Sequence, residues 1–310
     1  MLATQELAPP RRLSGGPADP LVDDLSEVLR VALRTLLDGE GDLPRSARDN
    51  SGAALVLLDA GAREGAGLPV VHYHGEKPFF PGRLASLFYL AGIHLRIHRG
   101  EVEEDGYVER DILRMIRADD ADAANLIFDR ITGTLSGPEL LEGNLEFFAR
   151  RRGRLDNLLR SLGVQGTRCE QKIWDRPPFG RDAQFLGPGG ARENRATPVA
   201  VATLLAKIAL GNAGGPEAGR KMLDLLRLDR LDGVSGSLSP PRICAGLPDG
   251  ACAWGRRAVG ARLLHEAAIV ELPGGLRYVL AFMSHLGERS ESALEPLGRS
   301  VAEGLSRPPA

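Results

Sequence analysis

No charge sign prevails in this chain: 39 basic residues stand against 41 acidic ones, a net charge of -2, which removes the electrostatic case for a nucleic-acid partner. Long apolar runs are missing as well, so no membrane contact is expected. Cysteine is scarce. Cys169, Cys244 and Cys252 are odd in number and spaced for neither a zinc site nor a disulfide framework, so free thiols are expected and no metal or other cofactor is implied. The first twenty residues, MLATQELAPPRRLSGGPADP, contain no apolar segment followed by a small-residue cleavage site, and the expectation is a cytoplasmic protein. No internal repeat or heptad array is visible.

What the chain does have is 43% apolar content over 310 residues, ample for one large or two intimately joined domains. Residues 1–20, rich in Pro, Gly and Arg, read as a disordered leader. From Leu21 to Leu37 apolar positions recur at three and four and predict a helix with one buried face, ended by Gly39 and Gly41. Ala53–Asp59 and Leu68–Tyr73 are short strand-like runs across a Gly-rich turn, a predicted hairpin. In Phe79–Gly92, FFPGRLASLFYLAG, a helix is expected to start near Gly82. Leu84, Leu87, Phe88, Leu90 and Ala91 are apolar around most of it, so it should be packed on several sides.

Helices are then predicted over Tyr107–Ile116 and Ala121–Ile131, broken at Ala118-Asp119-Asp120 and stopped by Gly133. Ser136–Leu162 reads as helical in two pieces separated near Gly153, and the basic run Arg150–Arg154 as a solvated helix terminus. Gly163–Arg195, with its many Pro and Gly, reads as a long irregular loop. Thr197-Pro198 should begin a helix to about Leu210, and Pro216–Leu228 another. Ala251–Arg256, Leu263–Leu272 and Leu276–Ser284 predict an antiparallel meander, and Ser290–Leu305 a closing helix. Strands at both chain ends with helices between suggest one sheet enclosing an inserted helical domain: an α/β (α+β) fold with residues 21–82 and 229–306 in the sheet domain and 83–228 all helical.

The order in FFPGRLASLFYLAG resembles the F-(F/Y)-P-x-S-x-x-K-L-F-Y-L active-site helix of serine β-lactamase-like hydrolases, the class A β-lactamase and penicillin-recognising superfamily. In that resemblance Arg83 stands at the nucleophilic serine and Ser86 at the lysine that activates it, and neither substitute can do the original chemistry. Ala118–Leu126, ADDADAANL, is similar to the SDN region with its A-A-N-L tail, so Asp119, Asp120 and Ala121 fall on S, D and N. Downstream of Leu247-Pro248-Asp249-Gly250, the count places Arg256, Arg257 and Ala258 on the KTG triplet. For the omega-loop glutamate the candidates are Glu170, Asp175 and Asp182, of which Asp175, directly after Trp174, is the choice. The resemblance spans roughly Ser51–Leu305 and rests on four segments in the right order.

It implies a class A-like architecture, an antiparallel sheet flanked by N- and C-terminal helices with the inserted helical domain, and a cleft whose hydrolytic residues have changed. Arg83, Asp119, Asp120, Arg256 and Arg257 read either as a salt-bridge network filling a disused cleft or as a polar pocket for a small carboxylate or phosphate held by bidentate arginines. Ser86 as a displaced nucleophile lacks a histidine base, and a serine hydrogen-bonded within its helix is the simpler reading. His72 and His74 read as exposed strand residues, and His94 and His98 as surface or cap positions, since no third ligand accompanies either pair. The leading expectation is a non-catalytic homologue that binds a small anionic ligand or a protein partner. The alternative is a repurposed enzyme acting on a small amide, lactam or carboxylate metabolite in the same cleft, with β-lactamase activity itself disfavoured.

Overall fold

The structure, a computed structural model, describes residues 11–12, 20–37, 47–58, 68–228 and 239–306. In chain order its main elements are β1 (Arg11–Arg12), α1 (Pro20–Leu37), β2 (Ser51–Leu57), β3 (Val70–Tyr73), α2 (Ala85–His98), α3 (Gly106–Arg117), α4 (Ala121–Thr132), α5 (Glu142–Arg152) and α6 (Arg154–Ser161). There follow α7 (Gly180–Leu186), α8 (Pro198–Ala209), α9 (Gly215–Leu226), β4 (Cys252–Gly260), β5 (Leu263–Glu271), β6 (Arg277–Ser284) and α10 (Leu294–Ser306). The chain divides into two compact units, one of residues 1–77, 197–202 and 240–310, the other of residues 78–196 and 203–239.

The first unit holds the sheet, with strand order β1-β3-β2-β6-β5-β4 and antiparallel pairing throughout. The meander expected from the C-terminal runs is present. Its turn at Pro273-Gly274-Gly275 needs the two glycines, at φ 105° and 89°, because L side chains disfavour that region. The central pair joins chain ends, with Ser51 opposite Ser284 and Leu57 opposite Tyr278. All seven residues of β2 are buried, which is why the run is apolar rather than alternating. Leu25, Leu29 and Leu33 of α1 join Leu297 and Val301 of α10 and Leu55, Leu280 and Phe282 of the sheet in one core. Each large side chain so buried contributes about 1.5–3 kcal/mol.

Two details differ from the expectations. Arg11 and Arg12 pair with Val71 and His72 as a short edge strand, and Pro20 already opens α1; residues 1–10 and 13–19 of the expected leader, the helix-ending glycines at 39 and 41 and the hairpin turn at 59–67 lie outside the described residues. The closing helix is preceded by a tight helical turn at Glu288–Ala293 and begins at Leu294. Within it Gly298 packs against the chain at Ile243 so closely that a Cβ would sit 1.8 Å from the Ile243 carbonyl oxygen. Gly298→Ala is therefore expected to cost about 1–3 kcal/mol despite alanine's better helix propensity, read as a lowered melting temperature. An unchanged value would mean the turn at 242–244 moves aside freely.

The second unit is helical and built around α2, whose residues from Ala85 to Leu95 are all buried, against α3, α4, α6 and α9. A helix apolar on every side must be enclosed in this way. The α3–α4 break falls where the sequence puts it. Asp105 caps α3 through the Val108 N–H (2.8 Å), and Asp120 caps α4 through the Ala123 N–H (3.0 Å). Gly133, at φ 67°, ends α4. Residues 163–195 are less irregular than expected, since they carry α7.

Candidate functional site

Arg83 sits in the tight turn Gly82–Leu84 that leads into α2. Its guanidinium donates to the Asp119 carbonyl oxygen (2.7 Å) and to the Asp175 carboxylate, with the Asp119 carboxylate 4.0 Å from Nε. Asp119 reaches this place because it takes the left-handed conformation, φ 51°, in the link where the Asp120 N–H returns to the Arg114 carbonyl (3.2 Å). Glycine commonly ends a helix this way, and aspartate is among the few other residues that tolerate it. Asp120 turns elsewhere. It caps α4 and pairs with Arg114 (2.5 Å), and although burial opposes ionisation, the hydrogen bonds from Ala123 and Arg114 hold its carboxyl below the usual range. Ala121 opens α4 and is buried.

Ser86, one turn beyond Arg83, is 1% exposed. Its hydroxyl donates to the Arg83 carbonyl oxygen (2.8 Å), a within-helix bond of the kind mid-helix serines usually make.

The loop carrying Asp175 is held by its backbone. The Asn125 amide pairs with Ile173 at two points, each 2.9 Å. Asn194 pairs with Gln171 at two points, each 2.8 Å, and the Tyr89 hydroxyl donates to the Gln171 carbonyl (2.5 Å). Lys172, between them, donates to Asp129 (2.6 Å) and Ser136 (2.9 Å). Asn125 belongs to the A-A-N-L tail noted in the sequence, while Asn194, Gln171 and Tyr89 gave no periodic signal. Of the three loop carboxylates only Asp175 joins Arg83. Asp182 is fully buried against Arg152, and Glu170 is half-buried, its carboxyl raised by burial and by Asp156.

The remaining motif-equivalent positions are in the sheet unit, on β4. Arg256 lies opposite Ala267 and Arg257 opposite Glu266. Because successive strand residues face opposite ways, Arg256 and Ala258 share one face and Arg257 takes the other, so the two arginines do not form one patch. Both are buried. Arg257 pairs with Glu291 (2.5 Å) and approaches Glu266 (3.5 Å), two partners that the motif reading did not name. Glu266 accepts from the Ile243 N–H (2.9 Å). Its carboxyl is pushed up to about 7 by burial, against the lowering effect of the backbone N–H groups and Arg257.

His74 and His98 are exposed as expected, but His72 and His94 need correction. His72 is buried, not exposed, and its Nδ1 accepts from the Gly75 N–H (3.2 Å), while His74 lies past the end of β3 at φ 44°. His94 is buried in α2 rather than at the surface, and burial lowers it to about 4, so it is neutral at pH 7. Nor is the basic run all solvated, since Arg152 is fully buried. Among the described residues no group of three or more His, Cys, Asp or Glu side chains could hold a metal ion, and no described helix is long and apolar enough to cross a membrane. The three cysteines are free.

Residues 151–304 match the model of the β-lactamase enzyme family, while no curated protein matches the chain. Among solved structures the chain is similar to PBP-A, also seen as an acyl-enzyme complex with penicillin G, at 18% identity and a TM-score of 0.61, covering 94% of this chain and 98% of that one. It is similar to the β-lactamase of Sphaerobacter thermophilus at 17% identity and a TM-score of 0.62, covering 91% and 99%. A mutant of the last common ancestor of Gram-negative bacteria class A β-lactamase gives 20% identity and a TM-score of 0.62, covering 89% and 98%. At such identities the structures speak for the fold. With the match over residues 151–304, the antiparallel sheet and the helical unit in place, the chain has the class A β-lactamase-like fold.

Proposed function

We propose that this protein is a β-lactamase-like homologue that has lost the acyl-enzyme machinery and acts in the cytoplasm as a binding or assembly protein. The observation that carries the reading is at the start of α2. Arg83 stands where the resemblance puts the nucleophile and is tied to Asp119 and Asp175, and the hydroxyl one turn along, that of Ser86, is buried and spent on its own helix. A serine nucleophile needs an adjacent base and an approach for the substrate; Ser86 is given neither by these contacts. Arg83 and Arg257 both carry carboxylate partners inside the chain, which favours the salt-bridge reading over an open pocket for an anion.

The test is intact-mass spectrometry after incubation with a penicillin and with a fluorophosphonate, on the native chain and on Ser86→Ala. The expected result is no mass increase with either reagent on either protein. An adduct on the native chain that disappears in Ser86→Ala would overturn the proposal and make Ser86 a relocated nucleophile. An adduct that survives would put the nucleophile elsewhere and equally end the non-catalytic reading.

A further inference from the structure

At the far end of α2 from Arg83, roughly 20 Å along the helix at 1.5 Å per residue, the helical unit holds a cavity of about 300 Å³. That volume is at the lower end of small-molecule sites. Three arginines line it, Arg96, Arg99 and Arg154, together with Glu101 and Asn157, beside the buried apolar side chains of Ile131 and Leu158. Arg99, Arg154 and Asn157 are exposed, so their polar ends are open to a ligand. The charges do not balance, since three guanidiniums that stay ionised meet one carboxylate, and that carboxylate already pairs with Arg96 (2.9 Å).

Capping of α4 accounts for part of this cluster. Arg96 donates to the Arg130 and Ile131 carbonyls and Arg154 to the Thr132 carbonyl (3.0 Å), where cations suit the end of a helix. The ends of α2 and α4 each supply only about half a negative charge, which leaves the excess of two positive charges incompletely offset. Arg151 adds to it. A Cβ on Gly133 would sit 2.1 Å from Arg151 Nη2 and 3.2 Å from Arg154 Nη1, so these guanidiniums crowd one spot. Burial, then Arg151 and Arg96, pull the Arg154 pKa down, and Glu101 opposes them. The side-chain groups left without a partner among the described residues are donors. Arg99 makes one bond, from Nη2 to Ser161 Oγ (3.2 Å), and Arg154 only the one through Nη1. Asn157 has its oxygen taken by Arg160, which leaves its amide N–H groups.

We propose that this cavity binds a small molecule carrying a phosphate monoester. The dianion would match the two excess positive charges and accept from Arg99 at the end of α2 and from Arg154 and Asn157, which share one face of α6 at a spacing of three. Donors arriving from two helices suit the oxygens of a tetrahedral phosphate better than the two coplanar oxygens of a carboxylate, which a single guanidinium can match. The organic group would rest against Ile131 and Leu158. The site gives the binding role proposed above a ligand class, yet it uses neither Arg83 nor Ser86 and stands whether or not the hydrolytic groups are lost.

Calorimetry on the full chain tests it, at low ionic strength and about pH 8, above the second phosphate pKa of about 6. Phenyl phosphate is expected to bind saturably, one per chain. Phenyl sulfate, of the same shape with a single charge, and benzoate are expected to bind at least about fivefold more weakly. Asn157→Asp removes a donor and sets a carboxylate among the arginines, so phenyl phosphate should bind it at least about tenfold more weakly. Should that variant fold poorly, Arg99→Gln, at an exposed position with one side-chain bond, supplies the comparison, with several-fold weaker binding expected. No saturable heat at two temperatures overturns the site. Equal affinity for phenyl phosphate and phenyl sulfate overturns the monoester assignment on the intact chain, whatever the variants do. Affinity unchanged in the folded variants places the anion elsewhere and equally ends the proposal.

Discussion

Asp182→Ala is expected to destabilise the helical unit by about 3–5 kcal/mol, because it strands a buried guanidinium. Arg152, the last residue of α5, and Asp182, in α7, are both 0% exposed. Arg152 lies over the rings of Phe148 (4.6 Å) and Phe128 (5.0 Å), which offset part of its desolvation as cation–π contacts. Among the described residues its remaining hydrogen-bond acceptor is the Glu170 carbonyl at 3.5 Å, too distant to replace a carboxylate, while Asp129 acts on it only through space. Burial pulls the Arg152 pKa down, and Asp182 first and Asp129 after it oppose this, so the Asp182 carboxylate is the larger part of what keeps the charge tolerable. The pair is nonetheless incompletely satisfied, since Arg152 Nε and Asp182 Oδ2 have no hydrogen-bond partner among the described residues. Replacing both ends with apolar groups of similar size, Arg152→Met with Asp182→Leu, should therefore recover most of the loss. Urea unfolding followed through Trp174 in the Trp254→Phe background reads the unit concerned. A loss under about 1 kcal/mol for Asp182→Ala would mean that water reaches Arg152 and that the pair is not the lock described here.

The sheet unit is expected to lose stability as the pH rises from about 4.5 past 7, through Glu266. Burial places its folded pKa at about 7 against 4.5 for the free carboxyl. The folded state then holds a proton that the unfolded chain has released, so the contribution is complete below 4.5 and lost as pH climbs through 7. Integrated, it amounts to about 3 kcal/mol. Facing Glu266 are Arg257, which favours the ionised form, and Glu291, which opposes it; burial outweighs both. Glu266→Gln keeps an acceptor for the Ile243 N–H and removes the titration, so its stability should be flatter over this range, with the gap to the native chain widening toward pH 8. Denaturation followed through Trp254, in a Trp174→Phe background, checks it. Parallel curves for the two proteins would show that Glu266 is ionised throughout.

How far the sequence could be read follows from what kind of signal each feature leaves. The all-round apolar α2, the C-terminal meander, the Gly133 stop and the α3–α4 break are written in periodicity and turn chemistry, which are local. The Arg83, Asp119 and Asp175 cluster was reachable because motif order placed its members together, though the left-handed Asp119 that lets it form was not foreseen. Arg152 was misread because a run of arginines does not reveal which one turns inward; the adjacent Phe147-Phe148 and the fixed helical spacing were the available clue. Glu266 is the one carboxylate in the buried stretch LHEAAIV, yet its partners Arg257 and Glu291 come from β4 and the turn before α10, and only the strand register joins them. Asn125 was marked by the A-A-N-L tail, whereas the Asn194–Gln171 clamp leaves no pattern, because it depends on backbone groups of an irregular loop.

The pairing of β2 with β6 also sets a timetable for synthesis. Ser51 waits for Ser284, and at ribosomal rates of about 5–20 residues per second that wait is on the order of tens of seconds. Throughout it the SGAALVL strand has only β3 beside it, with one edge of backbone donors and acceptors open to any other nascent chain. The helical residues emerge during the same interval and can pack from local contacts, while the sheet, dominated by distant ones, is completed last. Chaperone dependence during expression should therefore fall on the sheet end of the chain.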